Sequence, residues 1–216
     1  MSNTSNVPTL LRIDASARSE GSFSRRIADA VETRWRAAYP HGRVIRRDLA
    51  ARPIAHIDDA TIRGCYTPAA DLTPELRAAT ALSDALIAEL ETAHTVLIAS
   101  PIYNFSVPSA LKAWIDQVVR IGHTFAYENH AFRGLLDGPR AVLALAYGAG
   151  GYAGPLRSMD FLRPYLEGVL RFIGIEQIDV LAGEATTADA ATANANLDAA
   201  RAGAASLFAP ALRAAA

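Results

Sequence analysis

What this chain lacks narrows the field before anything it contains. It has a single cysteine, Cys65, so no disulfide can form within it and the cytoplasm is the expected compartment. Its 21 basic and 22 acidic residues leave a formal charge of -1, which supports neither nucleic-acid binding nor attraction to an anionic membrane. No apolar run approaches the roughly 18 residues of a membrane span. Met1 to Pro8 is polar and Ser/Asn-rich, without the basic and apolar regions of a secretory signal. The five histidines (His41, His56, His94, His123, His130) show no metal-ligand spacing, so no metal is expected. There is no Walker loop, no Gly-x-Gly-x-x-Gly turn, no serine nucleophile elbow and no internal repeat. With 51% hydrophobic and 20% charged residues, the 216-residue chain has an ordinary globular composition and suits one domain, residues 1–216.

What is present centres on Thr95 to Val119. Val96-Leu97-Ile98-Ala99 reads as a buried strand of a parallel sheet, and Leu111, Trp114, Ile115 and Val118 give Ser109 to about Arg120 the apolar face of a helix. Between them lies Pro101 to Pro108, a loop with two aromatics and an amide, restricted by proline at both ends. In open α/β sheets ligands bind beyond the carboxyl ends of the strands, and a flat aromatic ligand, a flavin, suits this loop.

The remaining chain supplies partners for that strand. Thr9 to Asp14 reads as the first strand, running into a loop with four serines before a helix that begins near Ser22 or Ser24. Unpaired amides and the helix dipole there suit one phosphate. An N-cap role for Ser22 or Ser24 explains those serines equally well. Arg43 to Leu49 alternates as an edge strand, its arginines a solvated face. A long connection from Ala50 to Thr73, with a short helix near Asp58 to Arg63, leads to a helix from Pro74 to about Thr92. Ile121 to Tyr127 reads as a loop with an extended piece. Arg140 to Tyr147 is a further buried strand, followed by a glycine cluster suited to close backbone approach. Met159 to Phe172 reads as a helix that Pro164 kinks or restarts, Ile175 to Leu181 as the last strand, and Thr186 onward as an Ala-rich helix with Leu197, Leu207, Phe208 and Leu212 on its apolar stripe. The alternation predicts an α/β, flavodoxin-like, doubly wound sheet of five parallel strands, order 2-1-3-4-5, with helices on both faces. The loops after strands one, three and four then converge on one mouth.

The loop Pro101-Ile102-Tyr103-Asn104-Phe105, followed by Leu111-Lys112 and by Gly122, Phe125 and Tyr127, resembles the FMN-dependent NADH azoreductases, flavodoxin-like quinone reductases. The likeness continues through Asp48-Leu49-Ala50, Leu82-Ser83-Asp84, Pro164-Tyr165-Leu166 and Phe172 to Ile175. The resemblance implies that Ser16, Ser22, Phe23 and Ser24 hold the FMN phosphate. It also implies that Ile102, Tyr103, Asn104 and Phe105 pack on the isoalloxazine, and that Tyr147, Gly148, Ala149 and Gly150 reach its pyrimidine end. The family often shows Ser-Arg-Gly-Gly at that last place, where this chain has Tyr-Gly-Ala-Gly-Gly, a change that bears on acceptor preference and on the choice of nicotinamide.

The implied activity is a two-electron, ping-pong transfer from NADH or NADPH through FMN to a quinone or azo acceptor, with no obligatory catalytic side chain. Phe125 and Tyr127 are candidates for the acceptor pocket of a homodimer, or for ordinary hairpin packing. His123 is a weaker candidate proton donor. Two other classes compete: a flavodoxin-type electron carrier docking on partner proteins, which the near-neutral charge disfavours, and a flavin-free binding protein that kept the fold.

Overall fold

A computed structural model describes residues 7–208. Its main sheet has five parallel strands: β1 (Thr9–Asp14), β2 (Arg43–Asp48), β3 (Thr95–Pro101), β6 (Arg140–Ala146) and β7 (Ile178–Gly183). Their spatial order is β2-β1-β3-β6-β7, which is the expected 2-1-3-4-5 order of the parallel strands. Near-continuous apolar runs make β1, β3 and β6 the buried centre, whereas β2 is a half-exposed edge. The helices are α1 (Phe23–Ala38), α2 (Asp59–Tyr66), α3 (Pro74–Thr92), α4 (Ser109–Val118), α5 (Arg163–Phe172) and α6 (Ala190–Ala202).

Strand alternation sorts the core into two layers. Leu10, Leu97 and Val142 face Ile27, Val31, Trp35 and Leu197 of α1 and α6. Leu11, Ile98 and Leu143 face Leu86, Leu111, Trp114 and Leu166 of α3, α4 and α5. Each fully buried large apolar side chain contributes roughly 1.5–3 kcal/mol. Trp35 is wholly buried and requires glycine at 42, because a Cβ there would lie 2.3 Å from the indole.

Several boundaries differ from the sequence expectation, each for a local reason. The segment after α4 is a hairpin, β4 (Phe125–Glu128) with β5 (Ala131–Gly134), rather than a loop with one extended piece. Asn129 and His130 both take positive φ (52° and 62°), the geometry of a two-residue turn that matches strand twist. Pro164 restarts a helix: a 3-10 turn at Arg157–Met159 ends before α5 begins at Arg163. The last strand starts at Ile178, not Ile175, because Ile175 is drawn onto the end of α5 by a bond from its amide to the Leu170 carbonyl. Helix α6 begins at Ala190, capped by Asp189 accepting from the Thr192 amide, so Thr186 and Thr187 stay in a loop. The apolar stripe expected to reach Leu212 runs outside the described residues. Among the described residues, no helix is long and apolar enough to cross a membrane.

Candidate functional site

The carboxyl ends of β1, β3, β6 and β7 surround a cavity of about 220 Å³. From the β1 side it is lined by Ser16, Arg18 and the run Gly21 to Ser24; from the β3 side by Pro101, Ile102 and Tyr103. Ala146 and Gly148 close it after β6, and Thr186 and Thr187 after β7. A larger hollow of about 570 Å³ lies at the opposite, amino-terminal edge, around Thr9, Glu91, His94 and Asp137. There His94 Nδ1 already accepts from the Thr9 amide at 3.1 Å. The smaller cavity is where the fold brings chemistry together.

Its floor is the start of α1. Ser22 is the N-cap, accepting from the Arg25 amide at 3.5 Å, and its hydroxyl lies 3.3 Å from that of Ser24. The amides of Phe23 and Ser24 donate to nothing among the described residues. Two hydroxyls and two amides at a helix N-terminus form a donor set for a phosphate. The N-cap and phosphate readings of these serines are therefore compatible.

Beneath that floor lies a charge network absent from the sequence reading. Arg12, inward-facing on β1, is only 3% exposed and grips Asp14 with Nε at 3.1 Å and Nη2 at 3.0 Å. Its Nη1 reaches Asp29 at 2.7 Å and Glu32 at 3.1 Å. Burial opposes the charge of the Arg12 guanidinium, yet Asp14 and Asp29 outweigh it and raise the pKa above its ordinary value. Arg25, in the first turn of α1, forks onto Asp48 at 2.7 and 2.8 Å and donates to the Ser16 carbonyl at 3.0 Å. Hydrogen bonds from Arg25 and from the Ala50 and Ala51 amides hold the Asp48 carboxyl at about 2. A cation in the first turn opposes the helix dipole, and Asp48 and Asp14 compensate it. The three β2 arginines are mostly a solvated face, as expected: Arg46 pairs with Glu32 and Arg47 with Glu89, both at 2.5 Å.

The β3 loop is a tight turn. Tyr103 and Ser106 exchange both backbone bonds, at 2.9 and 3.0 Å, around Asn104 and Phe105 with φ of 47° and 72°. A positive φ is costly for an aromatic residue, so the turn holds Phe105 half exposed on a strained backbone. Its carbonyl is fixed by the Phe161 amide at 2.9 Å. Asn104 is exposed and its side chain makes no hydrogen bond among the described residues.

The β6 loop divides in two. Tyr147 is buried: its hydroxyl donates to Asp160 at 3.1 Å, and burial together with Asp160 pushes the phenol's pKa far upward, so only its backbone belongs to the loop surface. Gly148, Ala149 and Gly150 have amides that meet no acceptor among the described residues. Neither Gly148 nor Gly150 has positive φ, and a Cβ on either would meet only ordinary van der Waals contacts, at 3.5 and 3.6 Å. Neither backbone conformation nor neighbours demand glycine there. Open space for a closely approaching group is the remaining physical use. Gly151, by contrast, has φ of 99° and needs its glycine.

The other candidates lie elsewhere. Phe125 and Tyr127 belong to an aromatic cluster with Phe132 and Phe172, ring centres 4.8 to 6.0 Å apart, and neither lines the cavity. His123 sits with Cys65, Asp84 and Arg120 at a different hollow; burial and Arg120 lower its pKa. Burial raises that of the Cys65 thiol. Asp58 is the N-cap of α2, accepting from the Thr61 amide at 2.8 Å, the helix start expected there. Thr186 and Thr187 escaped the sequence reading, although the rule that gathers ligands at strand carboxyl ends would have flagged the loop after β7.

A sheet of this order with donors gathered at its carboxyl edge defines the flavodoxin-like class, and comparison with known proteins agrees. The family model described as "Flavodoxin-like fold" matches residues 8–207. An FMN-dependent NADH:quinone oxidoreductase of Xanthobacter autotrophicus is 58% identical over 80% of this chain and 84% of its own length. One from Acidobacterium capsulatum is 44% identical over 83% of this chain and 87% of its own. The crystal structure of an azoreductase from Bacillus anthracis superposes with a TM-score of 0.85 at 23% identity, covering 94% of this chain and 99% of that one. The chain belongs to the FMN-dependent NADH:quinone oxidoreductases of the flavodoxin-like fold.

Proposed function

We propose that this protein is an oxidoreductase that uses FMN to pass two electrons from NADH to quinones, and that it also cleaves aromatic azo compounds reductively. One observation carries the reading. Four loops from separate parts of the chain converge on a single cavity, and it carries hydroxyls and unclaimed amides at one side and Gly148, a glycine without internal need, at the other. That donor set fits an anion joined to a flat ring.

FMN, when bound, supplies the acceptance of a hydride and its return as two electrons. Ser16, Ser22, Ser24 and the Phe23 amide would hold its phosphate against the dipole of α1. Ile102 to Phe105 would pack on the ring, with the Asn104 side chain at its polar edge. The backbone of Tyr147 to Gly150 would lie along the pyrimidine end, where preorganised amides favour negative charge. No side chain of the chain needs to gain or lose a proton at a reacting atom. Donor and acceptor would occupy one pocket in turn, giving ping-pong kinetics. Phe125 and Tyr127 would contribute to the acceptor side only from the second subunit of a homodimer, since within one chain they are packed in the hairpin. A cytoplasmic, one-domain protein spanning residues 1–216 completes the reading.

The test is an absorbance spectrum of purified protein after loading with FMN and desalting, followed by anaerobic NADH and then a benzoquinone. Retained flavin that bleaches and recovers is the expected result. Retained flavin that NADH leaves unchanged points instead to an electron carrier, and protein that retains no flavin overturns the reading.

A further inference from the structure

We infer that Glu184 and Thr187, in the loop after β7, are positioning residues that hold the amide row 148–150 open toward the ligand. This deepens the flavin reading above and rests on it. The loop from Tyr147 to Ala153 is secured along both of its hydrogen-bonding edges by the single segment Glu184 to Thr187. On the carbonyl edge, the Thr186 amide donates to Tyr147, the Thr187 amide to Gly148 and the Ala185 amide to Ala149, each at 3.1 Å. The Thr187 hydroxyl adds a second bond to the Gly148 carbonyl at 2.9 Å. On the amide edge, one carboxylate takes three successive donors: Glu184 accepts from Gly151 at 2.7 Å, Tyr152 at 3.1 Å and Ala153 at 3.0 Å. Ala185 takes φ of 55° within this clamp, a strained conformation for alanine.

The consequence is a sorted set of donors. Amides 151–153 are consumed by a negative charge of the chain itself, and the carbonyls of 147–149 are turned away into the clamp. Only the amides of Gly148, Ala149 and Gly150 remain unspent, with Gly148 on the cavity wall. A peptide unit whose carbonyl is fixed from behind presents its other face without reorganising, which is the condition for effective stabilisation of developing charge. The clamp therefore acts on the ring's reduced, more electron-rich state above its oxidised state.

Two variants change no charge. Thr187→Val removes the hydroxyl bond to Gly148, and Glu184→Asp keeps the carboxylate but shortens its reach to three amides. The readouts are the midpoint potential of bound FMN, its affinity by fluorescence quenching, and the melting temperature. Each variant is expected to weaken reduced FMN about tenfold more than oxidised FMN, a midpoint about 30 mV more negative for a two-electron couple. Thr187→Ser, which retains the hydroxyl, is expected to restore the wild-type potential. Riboflavin should show the same redox split, since the clamp acts on the ring and not on the phosphate. Equal loss of both redox forms, or unchanged potentials in stable variants, overturns the proposal while leaving FMN binding intact. Should Glu184→Asp fail to fold, the exposed Thr187 pair decides alone. Wild-type protein that binds no FMN overturns the underlying reading and the clamp's role with it.

Discussion

The loop after β1 and the loop after β6 line the same cavity, but they are braced in different ways. The first rests on charged side chains: Arg25 ties the Ser16 carbonyl to Asp48, and Arg12 locks Asp14 against Glu32 and Asp29. The second rests on main-chain bonds and one carboxylate, Glu184, which faces amides rather than a cation. The difference follows the part of the ligand each would meet. A phosphate brings up to two negative charges; Arg12 and Arg25 offset the acids beneath the floor, and the hydroxyls and dipole of α1 face the anion. A ring edge that alternates between neutral and electron-rich forms is served by neutral dipoles of fixed direction, which meet the developing charge without reorganising.

The most damaging way to break this comparison is Arg12→Met. Among the described residues it leaves the buried carboxylate of Asp14 with only Arg25, at 3.8 Å, so a loss of about 3–5 kcal/mol in urea unfolding is expected. The β6 wall has no equivalent, since no single residue there leaves a buried charge unpaired. Next in size, Ser24→Ala removes a buried hydroxyl from the phosphate floor. It should weaken FMN by about 1.5–3 kcal/mol, the range for hydrogen bonds to charged groups, and leave riboflavin, which lacks the phosphate, unchanged in fluorescence titration. Gly148→Ala sharpens the contrast from the other wall. It should leave the melting temperature unchanged, because the added methyl meets only Thr187 at ordinary contact distance, and weaken FMN and riboflavin alike by about tenfold, or 1.4 kcal/mol.

A smaller effect belongs to Asp48. Its carboxyl is held at about 2 against 3.8 ordinarily, so the unfolded chain takes up the proton first as pH falls. Its stabilisation is complete above about pH 4 and is lost as pH drops through about 2. Because the side chain is 35% exposed, solvent screening reduces the contribution. Asp48→Asn should lower stability at neutral pH, flatten the profile between about pH 4 and 2, and match the wild type below that range. Least of all, Arg133→Ala, whose pair with Glu128 is exposed at both ends, should cost within about 1 kcal/mol by the same denaturation assay, a control for charge loss outside the floor.

Much of the fold was legible because apolar runs and helical periodicities are local. The runs at Val96 to Ala99 and Arg140 to Tyr147, the proline opening α3 and the glycine closing α5 required no knowledge of neighbours. The hairpin Phe125–Gly134 was legible in principle from Asn129, a residue suited to positive φ, but strands of four residues are too short for alternation to stand out. Of the candidate site, Ser16, Ser22 to Ser24, Ile102, Tyr103 and Gly148 come together on the cavity, while Phe125 and Tyr127 do not. The last pair carries no mark in one dimension that separates a pocket wall from hairpin packing.

The sequence by itself determined the class of the fold, the order of its elements and three of the four loops at the carboxyl edge, because hydrophobic patterning and loop composition act over a few residues. Only the tertiary structure decided that Arg12 is a buried clamp rather than a stray charge in a strand, and that Glu184 and Thr187, more than thirty residues along from Gly148 to Ala153, hold that loop from behind. Those partners are set by which strands lie side by side in the sheet, and hydrogen bonds between neighbouring strand ends depend on that adjacency rather than on any spacing along the chain.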